Sequence, residues 1–87
     1  MKTFFITFRS ITWAQRCQRI FEREGIRCTM RRAPRWMENR GCSYGVEAKL
    51  REPEQGLKLL EREKIPFRNC YLLHPDGTVE ELGHDLS

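Results

Sequence analysis

The run from Lys2 to Phe8 (Lys2, Thr3, Phe4, Phe5, Ile6, Thr7, Phe8) is almost wholly aromatic or β-branched. Such side chains lose rotamer freedom in a helix and pack well on a pleated surface. In a strand, Phe4, Ile6 and Phe8 fall on one side and Phe5 and Thr7 on the other, because strand side chains alternate. Apolar residues on both sides need cover on both sides, so this run predicts a central strand.

The next segment has a helical period. Ser10 or Thr12 can cap it, Thr12 with Gln15 fits a capping box, and Gly25 supplies a left-handed stop. A helix is therefore expected over about residues 12–24, with Trp13, Ala14, Cys17, Ile20 and Phe21 inward. Ile26, Cys28 and Met30 then alternate with Arg27, Thr29 and Arg31, and Tyr44, Val46, Ala48 and Leu50 alternate with Gly45, Glu47, Lys49 and Arg51. Each predicts a strand with one buried face. Pro53 opens a second helix that ends at Lys64 ahead of Pro66, with Leu57, Leu60 and Leu59 as its inward candidates. Phe67 to Leu73 reads as a fourth strand, Pro75-Asp76-Gly77 as a turn, and Thr78 to Leu82 as a further C-terminal strand left open.

This order, β-α-β-β-α-β, predicts an α+β fold of the ferredoxin-like kind: a four-stranded antiparallel sheet with two helices on one face and the other face open. With 87 residues the chain is read as one small domain over 1–87, its core about residues 2–74 and the remainder, 75–87, turn and tail. No apolar run approaches a membrane span and no secretory pattern opens the chain, so it is expected in the cytoplasm, away from membranes. The net charge of +4 is uneven. Residues 1–42 hold ten Lys/Arg and three acids, whereas residues 43–87 hold six and nine, which suits an anionic partner for the first half or simply solubility.

Cysteine usage narrows the chemistry. Cys17, Cys28, Cys42 and Cys70 include no Cys-x-x-Cys pair, and His74 and His84 are not placed to complete a zinc set, so no metal and no cofactor is expected. A reducing compartment argues against a disulfide framework. Cys17, Cys28 and Cys70 read as small core hydrophobes, whereas Cys42 stands between Gly41 and Gly45, downstream of Arg31, Arg32, Arg35 and Arg40. Nearby guanidinium groups favour the thiolate, the nucleophilic form of sulfur. The candidate site is Cys42 as nucleophile, Arg35 and Arg40 lowering its pKa, and Ser43 offering a hydroxyl or backbone N–H. The plain alternative is an ordinary loop cysteine beside a solvated basic surface.

The strand Phe5-Ile6-Thr7-Phe8 followed by Ser10, the helix end Gly25-Ile26, the step Ala33-Pro34-Arg35, Cys42 and the pair Tyr71-Leu72 together resemble a small bacterial family of selenium/sulfur carrier-like proteins. The resemblance covers about residues 3–73, and Ser43 stands where that family has a glycine after its cysteine. It implies a carrier that holds the chalcogen on Cys42, takes it from a cysteine desulfurase or other donor, and passes it to an acceptor protein. Two rival readings come from other classes. An RNA-binding sheet would stack bases on Phe5 and Tyr71, and a protein adaptor would use Trp36 and Met37. No Ser/His/acid order or phosphate-binding glycine loop marks a self-contained enzyme.

Overall fold

In the computed structural model, which describes residues 2–33 and 44–84, β1 (Lys2–Phe8) lies at the centre of an antiparallel sheet. Around it run α1 (Ile11–Arg23), β2 (Cys28–Arg32), β3 (Tyr44–Leu50), α2 (Pro53–Arg62), β4 (Asn69–Leu73) and β5 (Val79–His84). The strands are ordered β2-β3-β1-β4-β5. The sheet thus has five strands where four, with a fifth left open, were expected. The last pairs with β4 across a register shift between Cys70 and Tyr71.

Both faces of β1 are covered, as its composition requires. Phe4, Ile6 and Phe8, all fully buried, join Ala14, Cys17, Ile20 and Phe21 of α1 and Leu59 and Leu60 of α2 in one core. Both helices therefore pack on the same side of the sheet. On the other side Phe5 and Tyr71 form a separate cluster, with Ala33 and Leu73 packed against it. Thr7 is buried too, and its hydroxyl is satisfied by Asn69, whose backbone N–H donates to it at 3.0 Å and whose carbonyl accepts from it at 3.4 Å. Those bonds tie β1 to β4 without leaving a buried polar atom unpaired.

The helix ends obey local chemistry. Ser10 caps α1, its hydroxyl accepting from the Trp13 N–H at 3.4 Å, so the helix begins one residue earlier than expected from Thr12. At its far end Gly25 takes φ +79°, the Gly25 N–H bonds the Glu22 carbonyl at 3.0 Å, and the Ile26 N–H bonds the Phe21 carbonyl at 2.8 Å. This is a Schellman closure, with Ile26 folding back into the core. α2 ends in the same way with Lys64 at φ 55° in place of glycine: Lys64 N–H to Glu61 O at 3.2 Å and Ile65 N–H to Leu60 O at 2.9 Å.

α2 buries Gly56, Leu59 and Leu60, while Leu57 is half-buried against the same core, so all three expected leucines face inward, Leu57 least deeply. Gly56 sets how closely the helix approaches. A Cβ there would stand 2.7 Å from the Phe4 ring, so the helix lays its bare backbone on β1. No helix among the described residues is long and apolar enough to cross a membrane.

Candidate functional site

Cys42, Arg35, Arg40 and Ser43, together with Trp36 and Met37, lie outside the described residues. The described residues comprise the frame from which that segment departs and to which it returns, and the three other thiols against which Cys42 is to be judged.

The departure and return are adjacent. β2 ends at Arg32, which sits opposite Tyr44, the first residue of β3. One strand further in, Tyr44 is opposite Phe8 of β1 and Gly45 is opposite Thr7. Both ends meet one small cluster. Ala33, the first residue after β2, packs against the Phe5 and Tyr71 cluster, and the Phe5 ring also lies over Gly45. A Cβ at position 45 would stand 2.6 Å from Phe5 Cζ and 2.9 Å from the Ile6 carbonyl oxygen, closer than real Cβ contacts come. Gly45, read from the sequence as an outward position of the third strand and a neighbour of Cys42, is thus the residue that lets Phe5 anchor the start of β3.

Electropositive character is retained at this frame. Arg31 is spent on Glu47, to which its guanidinium donates at 3.1 Å across the β2/β3 pair. Arg32 is exposed and makes no ion pair among the described residues.

The remaining thiols are of the inert kind. Cys17 and Cys70 are fully buried in the helix-side core. Burial pushes both thiols up out of any range in which they would ionise, and the neighbouring Cys28 and Cys70 sulfurs add to the rise at Cys17. Cys28 is half-buried, less enclosed than its inward position suggested, because β2 is the terminal strand of the sheet. Its thiol is pushed up to about 11, first by burial and then by the Glu22 carboxylate, and it leans on the Gln18 carbonyl at 3.6 Å. A thiol at that value carries almost no thiolate near neutrality.

The aromatic pair proposed for base stacking is placed differently from what RNA recognition needs. Phe5 and Tyr71 do share a face, but they are only 3% and 8% exposed. Base stacking needs an open ring face, and these rings are already packed. Elsewhere, Trp13, Leu57, Leu60, Ile65 and Phe67 line a mostly apolar cleft of about 670 Å³, and Arg16 lies 5.9 Å over the Trp13 ring. None of its lining residues is a cysteine. Among the described residues, no group of three or more His, Cys, Asp or Glu side chains is placed to hold a metal ion.

Compared with known proteins, the chain is matched by a family model described as "Putative Se/S carrier protein-like" over residues 3–72. No curated protein and no solved structure matches it.

Proposed function

Because the chain belongs to the Se/S carrier protein-like family, we propose that it holds sulfur or selenium on Cys42 and hands it to an acceptor protein. The family match carries this reading, since it runs through the segment that contains Cys42. The raised pKa values of Cys17, Cys28 and Cys70 support it, since none of those three thiols ionises readily near neutrality. The fold is read as a ferredoxin-like sheet extended by β5, which presents the β2-to-β3 segment at one end.

In the sulfur case the donor is a protein persulfide, such as that of a cysteine desulfurase. The Cys42 thiolate attacks the terminal sulfur, a new S–S bond forms on Cys42, the donor's S–S bond breaks, and its electron pair leaves as the donor's thiolate. Sulfur changes hands without net oxidation. An acceptor thiolate repeats the exchange on the Cys42 persulfide, and selenium takes the same path through an S–Se bond. Arg35 and Arg40 stabilise the thiolate before attack and after delivery, and Ser43 offers its hydroxyl or N–H to the sulfur. A reducing cytoplasm suits such a free thiol.

The test is the mass of the chain after incubation with a cysteine desulfurase and cysteine. Wild type should gain one sulfur, Cys70→Ser should gain the same, and Cys42→Ser should gain none. Equal gain in Cys42→Ser, or no gain in wild type, overturns the reading.

A further inference from the structure

β2 is the terminal strand of the sheet, so only one of its two edges is paired with β3. One bond fixes which backbone groups point outward. The Lys49 N–H donates to the Arg27 carbonyl at 3.0 Å, and in the β2/β3 register Thr29 is opposite Glu47 and Arg31 opposite Gly45. Directly opposed antiparallel residues alternate between bonded and non-bonded pairs, so Arg27, Thr29 and Arg31 turn their backbone groups toward β3. The N–H and C=O groups of Cys28, Met30 and Arg32 then face out, where no strand among the described residues meets them.

Cationic side chains stand at both ends of this edge. Arg27, Arg31 and Arg32 are exposed. Arg31 is paired with Glu47, and neither Arg27 nor Arg32 has an ion-pair partner among the described residues. At the start of the strand Arg27, Lys49, Arg51 and Gln55 help line a cleft of about 520 Å³. Glu24, the one acid lining that cleft, is engaged by Arg62 at 3.4 Å. At the opposite edge of the sheet β5 carries Glu80 and Glu81 instead.

We propose that the outer edge of β2 docks an extended acidic segment of a partner protein, which adds as a sixth strand. Its backbone bonds Cys28, Met30 and Arg32, and its carboxylates meet Arg27, Arg32 and Arg51. Main-chain pairing is nearly blind to sequence, so the cations select the occupant by charge complementarity. Arg32 also stands at the departure of the segment that contains Cys42, so a chain docked on β2 is led toward that segment. That the docked protein exchanges chalcogen with Cys42 rests on the function proposed above; the docking itself does not.

The test therefore uses the Cys42→Ser chain, ¹⁵N-labelled and titrated with the hexapeptide acetyl-Glu-Val-Glu-Val-Glu-Val-amide. The expected result is shifted amide signals for Cys28, Met30 and Arg32, with hydrogen exchange slowed there by about tenfold or more and changed less at Thr29 and Arg31. The double variant Arg27→Glu, Arg32→Glu should weaken binding by about tenfold or more, since it sets like charges against the peptide. No shift along β2 at millimolar peptide, equal binding of the lysine counterpart of the peptide, or shifts centred on β5 overturns the proposal. So does sedimentation showing that the free chain self-associates until Arg27 and Arg32 are reversed, because the occupant is then a second copy's acidic edge. Failure of sulfur loading at Cys42 leaves all of these outcomes unchanged.

Discussion

The helix-covered side of the sheet and the side facing away from the helices do different work. On the first, fifteen of the described residues form a single buried core that includes Cys17 and Cys70. On the second, the buried cluster is Phe5 and Tyr71, with Ala33 and Leu73 against them. The thick side provides stability, at roughly 1.5–3 kcal/mol for each large apolar side chain fully buried, and it silences the thiols it encloses. The thin side fastens both ends of the segment that contains Cys42. Enclosure on the thick side is what makes Cys17 and Cys70 packing material, since a buried thiol resists ionisation.

The largest effect should come from breaking the thick side. Cys17→Asp puts an unpaired charge at a fully buried position, at a cost of about 3–5 kcal/mol, a large part of the roughly 5–15 kcal/mol typical of a small domain. Urea denaturation monitored by circular dichroism should show the loss, while Cys42→Asp should change the stability by no more than about 0.5 kcal/mol if the loop reading of the sequence around Cys42 holds.

A smaller effect tests the thin side. Gly45→Ala drives a methyl into the Phe5 ring and the Ile6 carbonyl and should cost about 1–3 kcal/mol. Gly25→Ala, strained at φ +79° but with open space around it, should cost about 1 kcal/mol. Both destabilise, but only Gly45→Ala should also alter the labelling rate of Cys42 in the folded protein. Equal effects of the two variants on that rate would mean that Phe5 and Gly45 do not anchor the segment.

Alkaline pH separates the thiols more gently. The Cys28 pKa is raised on folding from its ordinary 9.0 to about 11, so the native state holds its proton more tightly than the unfolded state does. That contribution to stability is complete below pH 9 and is lost as pH rises through about 11, with Cys17 and Cys70 adding to the loss from pH 9 upward. The denaturation midpoint should fall across this window, and the fall should shrink in Cys28→Ala. An unchanged slope in Cys28→Ala would show that this thiol is not protected by the fold.

Much of the fold is written in periodicity. The two-sided Lys2–Phe8 strand, the Gly25 stop and the inward set Ala14, Cys17, Ile20 and Phe21 all come from spacing. Contact between elements is not carried by spacing. Phe5 over Gly45 is diagonal across two strands, Gly56 against Phe4 joins a helix to a sheet, and Cys28 is half-exposed because of where β2 falls in the strand order. Lys64 at φ 55° was illegible for another reason, since a left-handed lysine leaves no glycine to announce it. Of the candidate site, the thiol and its cations were legible as residue types, and the frame that holds their segment was not. Gly45 inside a strand pattern was the available signal.

The central claim, that one thiol of four is chemical and the others are structural, is tested most directly by alkylation of the native chain. Folded wild type is treated with limiting iodoacetamide at about pH 7, and each cysteine is quantified by peptide mass spectrometry. At that pH a thiol with a pKa of about 11 is ionised to only about one part in ten thousand, so Cys28 should lag far behind Cys42, with Cys17 and Cys70 slower still. The double variant Arg35→Gln, Arg40→Gln should slow Cys42 alone. Labelling of all four at similar rates, or of Cys28 ahead of Cys42, would contradict the division of roles between the buried core and the β2-to-β3 segment.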